Sequence, residues 1–362
     1  MKFILFYHSL VSDWNHGNAH FLRGVATELI KRGHNIYIYE PRDGWSRQNL
    51  LQEPGSEAVR EFRSAFPLLR STLYDPATID LDRTLRDADV VLVHEWNDHD
   101  LVSRIGEHHR ANPSYRLFFH DTHHRAVTAP EEMQQYDLRH YDGVLAYGNV
   151  LRDLYLENKW TPRAWTWHEA ADVNVFKPHS RNHIDGEVVW IGNWGDDERT
   201  EELCEFLIQP IADLKLRAKV FGVRYPESAR RLLSDAGISY GGWLPNYRVP
   251  EVFARFKITV HVPRRPYVRA LPGIPTIRPF EALACGIPLV CSPWSDSEKL
   301  FRPGTDFLVA RNGAEMRKHL QALLTDKKMA RDLAASGLET VRGSHTCGHR
   351  VERLLNICRS LS

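Results

Sequence analysis

The chain has 362 residues, more than the roughly 250–300 at which one hydrophobic core usually divides, so two domains of ordinary size are expected. Its 43% hydrophobic and 26% charged residues exclude a disordered or fibrous protein. A formal net charge of +1 excludes a bulk field that would draw nucleic acid or a membrane surface, so any grip on an anion must come from local clusters.

The opening run Met1 to His8 is too short for a signal peptide or a membrane span and reads as a buried first strand, Lys2–Tyr7. A helix follows from His20 to Arg32, with Phe21, Val25, Leu29 and Ile30 on one face and Gly33 at its end. Further strands are expected at Asn35–Tyr39, Val90–His94, Leu117–His120 and Gly143–Ala146, while stretch 45–75 gives no readable period. After the polar stretch Lys177 to Glu187 a second series begins at Val188–Ile191. It continues at Ala218–Phe221, Ile238–Gly241, Thr259–Val262, Leu289–Cys291 and Phe307–Val309. Helices are expected between these strands at Thr200–Ile208, Glu227–Ala236, Pro250–Phe256, Pro279–Ala284 and Ala314–Leu324, with a helical end from Ala330 to Leu361.

This alternation implies an α/β protein with parallel sheets in two blocks. We place a first domain over residues 1–178, a second over 186–340, and a terminal helix over 341–362 that crosses back to the first. Ligands of open α/β sheets bind beyond the carboxyl ends of the strands. The polar and glycine-rich segments there are 8–20, 94–99, 120–125, 192–199, 222–226, 243–248 and 261–278. Five widely spaced cysteines without a CxxC pair give neither a disulfide framework nor a zinc ribbon, and fit a reducing cytoplasm.

The segment Arg278-Pro279-Phe280-Glu281-Ala282-Leu283-Ala284-Cys285-Gly286-Ile287-Pro288-Leu289-Val290 resembles the FEALACGxPLV element of GT-B glycosyltransferases, in the large retaining family known as group 1. Gly242-Trp243-Leu244-Pro245 upstream, Pro303-Gly304 to Val309 downstream, and His168 to Asp172 with Phe176-Lys177-Pro178 also resemble stretches of that family. The opening Trp14 to His20 is most similar to its spore-maturation CgeB-like branch. The resemblance implies a GT-B fold, two Rossmann-like doubly wound domains facing across a cleft. It further implies transfer of a sugar from a nucleotide donor, a UDP-hexose, to an acceptor hydroxyl with retention and without metal or other cofactor. The acceptor is left unidentified, whether a glycan, a lipid-linked molecule or a small molecule; neither a nucleic-acid partner nor a transmembrane segment is expected. One departure stands out: the family motif has two glutamates eight positions apart, and where Glu281 matches the second, the first falls on Gly273.

Within that frame Glu281, near a helix N-terminus, is a carboxylate able to take both ribose hydroxyls, or else a first-turn Glu that complements the dipole. The diphosphate needs guanidinium forks and backbone N–H groups. Arg199 and Arg278 are the first choices, Arg264, Arg265 and Arg269 lie nearby, and Gly17-Asn18 opens a helix that can present N–H groups. The donor-sugar loop is Gly273-Ile274-Pro275-Thr276. His120, ending a strand, is placed at the sugar hydroxyls or the developing charge, as the family's His-Asp pair implies. His94, Glu95 and Asp98 either hold the acceptor or cap a loop. Asn193, Trp194, Trp243 and Tyr247 line a base slot or belong to the core. The His120, Asp121, His123, His124 cluster has no second group at metal spacing, so no metal is expected. Two alternatives share the fold: a nucleotide-sugar 2-epimerase or hydrolase, which asks for an acidic pair near the sugar C2, and a non-catalytic nucleotide-sugar-binding relative, which Gly273 favours.

Overall fold

A computed structural model describes residues 1–12, 17–195 and 197–361; Trp14, Asn15 and His16 of the opening motif lie outside the described residues. The chain forms two compact units, Met1–Glu169 with Cys347–Ser362, and Ala170–Thr346.

The first unit is built on seven parallel strands: β1 (Lys2–Phe6), β2 (Asn35–Pro41), β3 (Ser71–Tyr74), β4 (Val90–His94), β5 (Arg116–Asp121), β6 (Gly143–Ala146) and β7 (Ala164–Thr166). They are ordered β3-β2-β1-β4-β5-β6-β7. The central strands are apolar without alternation because a parallel sheet is covered on both faces. Val90 to Val93 and Leu117 to Phe119 are all buried. The β4–β5 register sets His94 directly beside His120 at the carboxyl ends. The final helix, Cys347–Ser360, belongs to this unit. The Trp167 indole donates to the Arg350 carbonyl, Arg350 donates back to the His168 carbonyl, and Arg353 donates to that of Thr166.

The second unit has six parallel strands: β8 (Gly186–Ile191), β9 (Ala218–Phe221), β10 (Ile238–Tyr240), β11 (Phe256–His261), β12 (Leu289–Cys291) and β13 (Leu308–Val309). Their order is β10-β9-β8-β11-β12-β13. The pleat divides β8 between two cores. Val188 and Trp190 pack with Leu203, Leu207 and Ile258, and Val189 and Ile191 pack with Phe253, Phe280 and Leu283.

Several element boundaries differ from the sequence expectation, each for a tertiary reason. The unreadable stretch holds two short helices, Trp45–Gln52 and Ser56–Ala65, and then β3. The helix expected over Pro250–Phe256 ends at Phe253, and Phe256 opens β11, where it pairs with Gly186. The helix expected at Thr200–Ile208 is an α turn, a π turn over Cys204–Ile208 and a further α segment to Leu214. The helical end is two helices, Lys327–Ser344 and Cys347–Ser360. At the break the His345 ring bonds the Leu300 carbonyl and Ala171 N–H donates to the His345 carbonyl.

Candidate functional site

In the second unit the strand order reverses between β8 and β11, which makes the loops after these strands the topological switch point. Arg199 ties the two loops together. Its Nη1 donates to the Val262 carbonyl at 2.8 Å, its Nη2 to Asn193 at 2.5 Å and its Nε to Trp194 at 3.3 Å. The guanidinium also lies 5.1 Å from the Trp190 ring centroid. Burial lowers its pKa to about 10, which leaves it cationic at neutral pH. This places a fixed positive charge directly behind the 192–195 loop.

Glu281 lies in the helix Ile277–Ala284 and is fully buried. Its Oε1 accepts from the Asn246 amide at 2.7 Å and its Oε2 is ion-paired with Arg278. Asn246 starts a single 3₁₀ turn, Asn246–Arg248, that follows the loop after β10. His261 ends β11, with Nε2 3.4 Å from the Thr276 hydroxyl. Burial, reinforced by Arg199 and Arg278, pushes its pKa down to about 3, so the ring is neutral. Glu281, Arg278, Asn246, His261, Thr276 and Arg199 therefore form one polar constellation at the carboxyl edge of this sheet.

Two other arginines are already neutralised, Arg264 by Glu198 and Arg265 by Glu202. The base-slot candidates separate. Trp194 is core, with its indole on the Thr200 hydroxyl and its ring 5.6 Å from that of Tyr225. Asn193 accepts from the Val223 N–H through its side chain. Trp243 and Tyr247 flank Asn246 in the chain, and the buried Trp243 indole N–H has no partner among the described residues.

The first unit reverses its strand order between β1 and β4. Here the strand ends carry rings. His120 is buried against Tyr7, Phe21, His94 and Trp167. Its Nδ1 is 2.7 Å from the Tyr7 hydroxyl, and Nε2 has no partner among the described residues. Burial lowers its pKa to about 3, so it too is neutral. His94 belongs to a relay. Trp96 N–H points at its Nδ1, its Nε2 meets the Thr122 hydroxyl at 3.0 Å, and that hydroxyl donates to Glu95. Glu95 also accepts from Thr122 N–H and is paired with Arg125 at 2.9 Å, entirely buried. Desolvation pushes its carboxyl up and Arg125 pulls it back. Asp98 caps the helix His99–Ala111 through the N–H groups of Asp100 and Leu101. Asp121 accepts from Tyr155 and from His123 N–H. Gly17 precedes the helix Asn18–Lys31, whose first N–H groups include that of Asn18.

The structure thus joins His94 with His120 and joins Glu281 with Arg278. It commits Glu95 to an ion pair, Asp98 to a cap and Arg199 to carbonyls. Sequence reasoning missed Tyr7, Thr122, Asn246 and His261. The sequence signal for them is their place at or beyond the carboxyl end of a strand. Among the described residues, no three His, Cys, Asp or Glu side chains gather in a metal-binding group, and no helix is long and apolar enough to cross a membrane.

Residues 199–356 match a family described as glycosyl transferase-like. Among solved structures, the chain is similar to sucrose-phosphate synthase from Thermosynechococcus elongatus (14% identity, covering 99% of this chain and 98% of that one, TM-score 0.64). It is also similar to HepE from Anabaena in complex with UDP (11%, 99% and 100%, 0.70). A third is an alpha-glucosyltransferase in complex with UDP and a 13-mer DNA containing an HMU base (11%, 99% and 99%, 0.72). No curated protein matches the chain. The chain has the GT-B fold of two Rossmann-like parallel sheets, and its match to the glycosyl transferase-like family runs through most of the second unit and into the final helix.

Proposed function

We propose that the protein is a hexosyltransferase that takes a sugar from a UDP-hexose and passes it to an acceptor hydroxyl. The observation that carries this reading is the Glu281 constellation, a buried carboxylate bounded by Arg278 and Asn246 beside the cationic β8–β11 switch point. A carboxylate is an acceptor only and suits the two ribose hydroxyls. The first-turn Arg278 then exchanges its carboxylate for phosphate oxygens, with Arg199 holding the loop N–H groups in place. The family match over residues 199–356 and the solved relatives that contain UDP support the donor class.

The reaction we assign is retaining and metal-free, as in the group 1 family the sequence resembles, and the CgeB-like branch is the subgroup we assign. The acceptor oxygen attacks the anomeric carbon on the face the diphosphate leaves. The bond from C1 to the phosphate oxygen breaks, the bond from C1 to the acceptor oxygen forms, and the acceptor proton passes to the departing diphosphate. His120, neutral and with one unengaged ring nitrogen, supplies a hydrogen bond to the donor sugar in this scheme. The first unit receives the acceptor. We assign a cytoplasmic location, the side on which nucleotide sugars are used by a chain with reduced cysteines.

A thermal-shift panel of nucleotides and nucleotide sugars tests this, because a ligand that binds only the native state raises the midpoint by mass action. UDP and a UDP-hexose should give the largest shifts, and Glu281→Ala should abolish them. An unchanged response in Glu281→Ala would remove the ribose assignment. Release of free sugar, against transfer to an added glycan, separates hydrolase from transferase.

A further inference from the structure

Gly273 is a glycine for two local reasons. Its φ is +87°, a region that side chains rarely adopt, and a Cβ there would lie 2.5 Å from Cγ of Glu298 and 2.6 Å from Oγ of Ser297. Its N–H donates to the Ser295 carbonyl at 2.7 Å, so the loop after β12 closes onto the loop after β11. The Asp296 carboxylate holds the β12 loop in shape by accepting from the N–H groups of Leu300 and Phe301 at 2.9 and 2.8 Å. Ser292 N–H on the same loop donates to the His261 carbonyl, which ties the loop to the polar constellation around Glu281. The space a side chain at 273 would enter is therefore filled by the stem of Glu298. That stem belongs to the loop after β12, and the glycine it covers stands three residues before Thr276, the residue that opens the Glu281 helix.

We propose that Glu298, laid across Gly273, is the carboxylate that takes the hydroxyls of the donor sugar. This rests on the reading that the second unit binds a nucleotide sugar. An acceptor-only carboxylate with two oxygens matches a vicinal diol. It disfavours a hexuronate, whose own carboxylate would meet a like charge. The glycine is then part of the sugar subsite, because it opens the path along which a neighbouring loop supplies the acid.

The test is calorimetric binding of UDP, UDP-glucose, UDP-galactose and UDP-glucuronate to the full chain, as wild type, Glu298→Gln and Gly273→Ala. Wild type should bind its better UDP-hexose more tightly than UDP-glucuronate. Glu298→Gln should keep UDP affinity, which also reports an intact fold, while that UDP-hexose weakens about tenfold, the loss of one charged hydrogen-bonding pair. Its discrimination against UDP-glucuronate should narrow. Gly273→Ala should displace the Glu298 stem and copy this pattern. A Glu298→Gln protein that binds the UDP-hexose as wild type does, or loses UDP and UDP-hexose in equal measure, overturns the assignment to Glu298 alone. A wild type that binds none of the four overturns the nucleotide-sugar reading, and this proposal with it.

Discussion

At the switch point of the first unit the strand ends carry neutral rings, with His120, Tyr7, His94 and Trp167 packed together. At that of the second the segments beyond the strand ends carry guanidinium groups, with Arg199 bridging two loops and Arg278 on Glu281. The two sheets share one strand order over six strands, the first adding β7 at its edge, and the orders reverse at equivalent places. The chemistry differs because a parallel sheet exposes its loops at one edge only, and whatever residues stand there set the ligand. A ring-lined edge suits a neutral polyol, and a cationic edge suits a diphosphate.

The comparison breaks most visibly at Arg199. Arg199→Met removes a donor from the carbonyls of Asn193, Trp194 and Val262, at about 1–2 kcal/mol each. Denaturant unfolding should therefore show a loss of about 3–6 kcal/mol, together with loss of the UDP response. A variant as stable as wild type would show that the buried guanidinium does not organise the loop.

In the ring-lined edge the expected effect is kinetic. His120→Gln should lower turnover by about 10²–10³-fold, the usual cost of one preorganised donor, with UDP affinity intact. Equal losses of UDP affinity and turnover would place His120 in the nucleotide site and erase the division of roles.

The two edges should agree in one respect, their response to acid. His120 and His261 are both held neutral, with pKa values lowered to about 3 by burial. Between an unfolded value near 6.5 and that folded value the unfolded chain binds the extra proton, so these rings cost stability as pH falls. The buried carboxyls Glu95 and Asp121, whose pKa values are raised, act in the opposite sense. The clean reading is therefore a difference between proteins. Relative to wild type, His261→Gln should gain stability steadily from pH 6.5 toward pH 4, by at most about 1.4 kcal/mol per pH unit. A difference independent of pH would mean the ring is charged in the folded state.

The smallest effect separates capping from catalysis at Asp98. Asp98→Ala should cost about 1 kcal/mol of stability, the ordinary value of an N-cap, and leave turnover per folded molecule unchanged. A large fall in turnover without loss of stability would return Asp98 to the acceptor site.

What the sequence made legible follows from how local each signal is. The central strands were readable because double burial makes them continuous apolar runs, and Val90–His94 and Gly143–Ala146 have the expected bounds. The edge strands β3 and β7 were not, since four and three residues of mixed polarity carry no period. The break before Cys347 depends on Leu300 and Ala171, far off in the chain. In the sites, Glu281 and Arg278 were found because they sit three apart in one motif. Asn246, which holds the other oxygen of Glu281, comes 35 positions earlier, and Tyr7 lies 113 positions from His120. Arg199 was legible as a cation beyond a strand end, a candidate for the diphosphate. That its N–H groups go to carbonyls depends on Val262, 63 positions on, as well as on its own loop.

Hydrogen exchange with and without UDP tests the central claim most directly. The account predicts slowed exchange in peptides covering 192–199, 243–248 and 273–284, with the β7 and final-helix peptides unaffected. Protection confined to the first unit, or none at the Glu281 helix when UDP is bound, would contradict it.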